Sequence, residues 1–128
     1  MPFVSGFGKG LRIKTYARAI IGAIEVAKSN AITLRKTHSV VFDVKKRQYW
    51  IEDESGQIYE KKYNLPGSVK FEIKGSEESD PITFENDKIT FNSSGSVQEA
   101  RGSVSITDKQ GDFRTITVIG PTGKIILN

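Results

Sequence analysis

Residues able to do chemistry are few and scattered in this chain. It holds one histidine, His38, and no cysteine. That excludes disulfides, thiolate metal sites and cysteine nucleophiles. His38 has no second histidine or cysteine to share a metal with, so it reads as a solvent-facing or capping residue at a helix-to-strand junction. "GFGKG" at residues 6–10 has the look of a phosphate loop, but such a loop must follow a strand, and only five residues precede it. No G-x-S-x-G elbow presents a serine. Two acidic clusters, "EDES" (52–55) and "EESD" (77–80), offer oxygen ligands for calcium. Neither has the spaced D-x-D-x-D-G order, and both read as solvated turns. The residues therefore predict no enzyme, no cofactor, no bound metal and no small-molecule substrate.

The elements that would carry such residues come next. The 128 residues suffice for one domain with one modest core. At 37% hydrophobic and 27% charged, the composition is that of a folded domain. No run reaches the roughly 18 apolar residues of a membrane span, and no signal-peptide core is visible. The net charge is +4, but up to Lys36 seven basic residues face Glu25 alone, a net +6, leaving −2 for the rest. The basic character belongs to the first quarter of the chain and suits acidic headgroups or acidic partner surfaces.

That first quarter reads as one long helix, from about residue 9 to 35, after a flexible lead-in over residues 1–8 marked by Gly6, Gly8 and Gly10. At 100° per residue, Ile13, Ala17, Ile20, Ile21, Ile24, Ala27 and Ala31 share one face. Lys14, Arg18 and Glu25 lie on its flank, with Gly22 and Ser29 opposite; Val26 and Tyr16 lie off the centre. The stripe mixes bulky isoleucine with small alanine and suits a sheet.

From about residue 39 to 128 the chain alternates and turns. "SVVFDV" and "RQYWIED" flank a hairpin at Lys45-Lys46. "SVKFEI" places Val69, Phe71 and Ile73 on one face. "PITF" and "KITF" read as a hairpin around Asn86-Asp87. "GSVSITD" and "FRTITVIG" flank a turn built on Gly111, and "KIILN" forms a last strand. Tyr49 and Trp50, being adjacent on a strand, must point to opposite faces. The expected fold is α+β: one long N-terminal helix on an antiparallel sheet, or two small sheets, of seven or eight short strands.

The run "AKSNAITLRKTHSVVFD" (27–43) resembles the A-R-S-E-A-I-x-x-x-x-x-V-x-L-V-F-D segment of type IV pilin-like proteins of the GspH/FimT type, at Ala27, Ser29, Ala31, Ile32, Val40, Phe42 and Asp43. "ITFNSSGSV" is similar to the family's L-x-F-x-x-x-G-x-x, through Phe91 and Gly95. "GSVSITDKQGDFRTITVIGPTGKI" (102–125) is similar to its closing strands, through Gly102, Gly111, Arg114, Gly123, Lys124 and Ile125. Residues 44–88 are generic.

The resemblance implies a pilin-like fold and a structural role: a minor subunit of a type II secretion pseudopilus or a type IV pilus. Such a subunit assembles through its helix with other minor pilins or pseudopilins and an inner-membrane assembly platform. In that reading Ile13, Ala17, Ile20, Ile24, Ala27 and Ala31 form the assembly face, and Lys14, Arg18 and Glu25 its flank contacts. The family's opening G-[FY]-[ST]-L-x-E and apolar run are missing here. That implies a single-pass inner-membrane anchor absent from this stretch, Met1-Pro2 marking a cut end, and a periplasmic domain. Two alternatives remain open. The first is a FimT-like subunit that takes up DNA, with Lys124 at the matching basic end and Lys109 and Arg114 nearby; the family's second cation there is replaced by Ile126, which weakens a phosphate clamp. The second is a soluble protein-interaction domain with Met1 a true start.

Overall fold

The computed structural model describes residues 2–75 and 79–128, residues 2–11 by backbone alone. Helix α1 spans Pro2–Leu34. The expected lead-in and the "GFGKG" stretch lie outside the residues whose side chains are described. α1 ends by a mechanism the sequence disguises. The N–H of Lys36 donates to the carbonyl of Ala31 at 3.3 Å, and Arg35 sits at φ +54. This is the left-handed stop normally given to glycine.

Among the described residues eight strands follow: β1 (His38–Asp43), β2 (Gln48–Asp53), β3 (Ile58–Asn64), β4 (Val69–Phe71), β5 (Lys88–Phe91), β6 (Arg101–Asp108), β7 (Phe113–Ile119) and β8 (Lys124–Leu127). They form two four-stranded sheets, ordered β3-β2-β1-β5 and β4-β6-β7-β8. Every pairing between these strands is antiparallel. The predicted class, one helix on two small sheets of eight strands, is the observed one.

Alternation sets which side chains meet the helix. In the first sheet Val40 pairs with Ile51 and Phe42 with Tyr49, and all four are buried. In the second, Val104 pairs with Ile116 and Ile106 with Phe71, again buried. The sheets meet where Phe42 of β1 sets the edge of its ring against Phe71 of β4, centroids 5.6 Å apart at 81°, a favourable aromatic geometry. α1 packs against both sheets, so one continuous core joins all three layers.

The expected hairpin of "PITF" and "KITF" does not form. Ile82 bridges to Val104 of the second sheet, whereas "KITF" becomes β5 and pairs with β1 in the first. A short 3-10 turn at Glu85–Asp87, with Asn86 and Asp87 at positive φ, carries the chain from one sheet to the other. Adjacency in sequence favours a hairpin. Burial of Ile82 and Phe84 on one sheet and Ile89 and Phe91 on the other outweighs it.

Candidate assembly surface

The six residues expected as an assembly face are spent inside the domain. Ile13, Ala17, Ile20, Ala27 and Ala31 have no exposed surface and Ile24 has 1%. Two sheets cover this stripe, so in this domain it packs the core and offers no surface to a neighbour. Ala23 joins it, and Ile21 sits half-buried at its margin. The small residues let β1 and β7 approach the helix axis. The flank residues differ: Arg18 and Glu25 are exposed and Lys14 is half-buried. Beside them Val26, Ile32 and Leu34 are exposed apolar side chains, at 38%, 47% and 54%. The rest of α1 therefore carries exposed charged groups, with Val26 and Ile32 partly exposed at the margins of the sheets and Leu34 at the helix end.

Ile32 and the turn after β5 show how closely this side is fitted. Gly95 has φ +88, and a Cβ there would fall 2.7 Å from the Ile32 side chain. Lys28 reaches across to donate to the Thr122 carbonyl at 2.8 Å. Between α1 and β8 runs a groove of about 590 Å³ whose apolar walls are Ile21, Ile24, Ile32, Phe91, Ile125 and Leu127, with Glu25, Lys28 and Ser29 of α1 also lining it. Sequence reading missed it, because its walls come from three segments far apart in the chain. The one available signal was the apolar "KIIL", too apolar for a strand solvated on one face.

The groups singled out for chemistry have structural tasks. His38 is buried at 3% exposure, not solvent-facing. Its Nδ1 lies 2.8 Å from the Lys36 carbonyl, which only accepts, so Nδ1 donates. The helix exit is thereby tied to β1, and the buried ring is satisfied. In the first acidic cluster, Asp53 Oδ1 accepts from the Ser55 hydroxyl and from the N–H groups of Ser55 and Gln57. The Ser55 hydroxyl bond, with the two backbone bonds and the charge of Lys36, holds the Asp53 carboxyl below its usual range. Asp108 Oδ1 does the same for the turn around Gly111, accepting from Gln110 and Asp112. Glu77 and Glu78 of the second acidic stretch lie outside the described residues. Asp80 Oδ1 accepts from Ile82. Among the described residues no set of three histidines or carboxylates is grouped to hold a metal. Tyr49 faces the helix and Trp50 the outside, where the indole donates to Glu52 and Lys62 covers the ring at 4.3 Å.

The three cations of the DNA alternative are not brought together. Lys109 sits in the β6–β7 turn and Arg114 at the adjoining end of β7, whereas Lys124 pairs with Ile119 at the other end. Five residues of strand separate those ends by about 17 Å. Arg114 shares the parity of the buried Ile116 and Val118; Lys124 has the opposite one. The cations occupy different ends and different faces of one sheet.

No family model matches the sequence, and no curated protein matches it. Solved structures do match by fold. The minor pseudopilin EpsH from the type 2 secretion system of Vibrio cholerae superimposes with a TM-score of 0.66 at 17% identity, over 91% of this chain and 95% of that one. A second structure of EpsH gives 0.66 at 19%, over 92% and 94%. The type IV minor pilin FimU of Pseudomonas aeruginosa gives 0.66 at 16%, over 95% and 92%. The fold is that of the minor pilins and pseudopilins. It is a GspH/FimT-like pilin fold, complete over nearly the whole of both compared chains. Within this pilin-like fold, no helix among the described residues is long and apolar enough to cross a membrane.

Proposed function

We propose that this chain is a structural minor subunit of a pilus-like filament, either a secretion pseudopilus or a type IV pilus, and acts without catalysis. The observation that carries the reading is the division of α1. One face is covered by the chain's own sheets, and the remainder presents Arg18 and Glu25 exposed with Val26, Ile32 and Leu34 about half exposed. A helix needed only to hold this domain would finish its exposed side with polar groups. Likeness of fold to a minor pseudopilin and a minor pilin supports the same role. Other pilins or pseudopilins are the proposed partners, with an inner-membrane platform driving assembly and the domain lying outside the cytoplasm. The flank residues Lys14, Arg18 and Glu25 are the proposed contacts.

Arg18→Glu in the native host tests this. The expected result is normal levels of folded protein with filament assembly or secretion lost. Normal assembly by that variant, present at wild-type level, overturns the flank assignment.

A further inference from the structure

Four strand edges end the two sheets, and three are closed to pairing. β3 carries Glu60, Lys61 and Lys62, with Glu60 at φ +60 and a register irregularity against β2. Such charge and distortion guard an edge. β4 has only three residues. β5 is covered by the segment after it, where Gln98 donates to Thr90 and Val97 bridges Phe91. Among the described residues, β8 alone is regular and apolar at its outer edge.

The ladder fixes what that edge offers. Asn128 and Thr115 exchange both backbone hydrogen bonds, at 2.9 and 3.0 Å. In an antiparallel pair bonded positions alternate, so Ile126 is bonded to Thr117, and the N–H and C=O groups of Ile125 and Leu127 point away from β7. Their side chains face inward beside Val118 and Ile116 and wall the groove of about 590 Å³ against Ile21, Ile24, Ile32 and Phe91. On the outward face Lys124 is exposed and in no ion pair among the described residues.

We propose that β8 is a strand-addition site: an extended segment of another protein pairs antiparallel with it. The segment bonds to Ile125 and Leu127 through its backbone. Residues opposite those two project into the groove, so the segment carries two apolar side chains at alternate positions. Its next residue, opposite Lys124 on the outward face, is acidic by charge complementarity. Backbone bonds supply the affinity and the groove the selectivity. The inference does not depend on the filament reading.

The probe is the peptide Ac-Thr-Val-Thr-Val-Glu-Thr-amide, titrated into ¹⁵N-labelled protein. Binding is expected to slow exchange of the Ile125 and Leu127 amides at least tenfold, with shifts at Ile21 and Ile24. Methylating the two valine nitrogens removes the donors facing β8 and is expected to abolish binding. Replacing both valines by serine is expected to weaken it at least tenfold. Leu127→Pro deletes an edge-facing N–H, keeps the bonds to β7 and also removes a side chain that walls the groove; it is expected to lose the peptide, whereas Leu127→Ala, which removes that side chain and keeps the N–H, is expected only to weaken binding. Unchanged amides at millimolar peptide overturn the proposal. So do equal binding of the N-methylated peptide and protection appearing at β3 or β4 instead. A concentration-dependent dimer of the free protein, with those two amides already protected, overturns it in favour of a second copy as occupant.

Discussion

The inward and outward faces of α1 are built from similar residues and meet opposite fates. Ile24 and Val26 stand two positions apart; one is 1% exposed and the other 38%. Ala27 is buried completely, whereas Ile32, far more apolar, is 47% exposed. Hydrophobicity therefore does not decide which face meets the sheets. Position around the helix does: Ile13, Ile20 and Ile24 share the buried side with Ala17, Ala23, Ala27 and Ala31, and the alanines let the sheets come close. The lesson is that large apolar residues on the other face are left over by the domain, and a leftover of that kind on a well-formed helix marks a surface for something else.

The comparison breaks most easily at Ile24. Ile24→Ala is expected to cost roughly 2–5 kcal/mol of unfolding free energy, since the cavity lies between two sheets that cannot both collapse into it. Urea unfolding measures it. A loss below 1 kcal/mol means the inward face is less tightly held than its burial indicates.

This division was legible in the sequence up to a point. The stripe of Ile13, Ala17, Ile20, Ile24, Ala27 and Ala31 was visible as periodicity, and so were the hairpins at Lys45-Lys46 and Gly111. What periodicity cannot reveal is the partner of a face. The same stripe fits a sheet of its own domain or a neighbouring helix, and only the closure of the two sheets decides it. The "PITF" and "KITF" strands misled for a related reason: the turn between them is short enough for a hairpin, but the two strands belong to different sheets. Of the two readings of His38, the capping one holds, through a carbonyl two residues earlier at the helix exit, and the solvent-facing one does not, because the ring is buried. The groove beside β8 depends on Phe91, Ile125 and α1 meeting across 100 residues of chain, which pattern reading along one segment does not reach.

Alkaline pH sharpens the same contrast from the sheet side. Tyr49 lies under α1 and its phenol is pushed up to about 12, by burial first and by Tyr63, stacked at 5.3 Å, second. Burial also raises Tyr63. A raised folded-state value means the unfolded chain releases the proton first. Stability is thus complete below pH 10 and is lost as pH rises from 10 towards 12. For Tyr49 this amounts to about 2–3 kcal/mol at most. Urea melts at pH 9 and 11.5 measure the fall. Tyr49→Phe is expected to remove most of it; an equal fall in that variant assigns the effect elsewhere.

Overpacking the inward face comes next in size. Ala27→Leu adds three carbons where the helix has no exposed surface. The expected cost is about 1–3 kcal/mol from displaced strands, with a lowered melting temperature and unchanged helix content by circular dichroism. A stabilised Ala27→Leu protein implies free space between α1 and the sheets, and the small residues then need another explanation.

The smallest expected effect is the most informative about α1. Val26→Ser and Arg18→Glu alter only the outward face, and surface changes away from special features stay within about 0.5 kcal/mol. Both variants are expected to melt close to the wild-type protein, Val26→Ser slightly lower because part of that side chain is covered. Loss of assembly by Arg18→Glu can be read as a lost contact only if that variant is as stable as the wild type. If instead either substitution unfolds the domain as Ile24→Ala does, the outward face is part of the core's support. The distinction between a face that holds the domain and a face that meets a neighbour then fails at its simpler half.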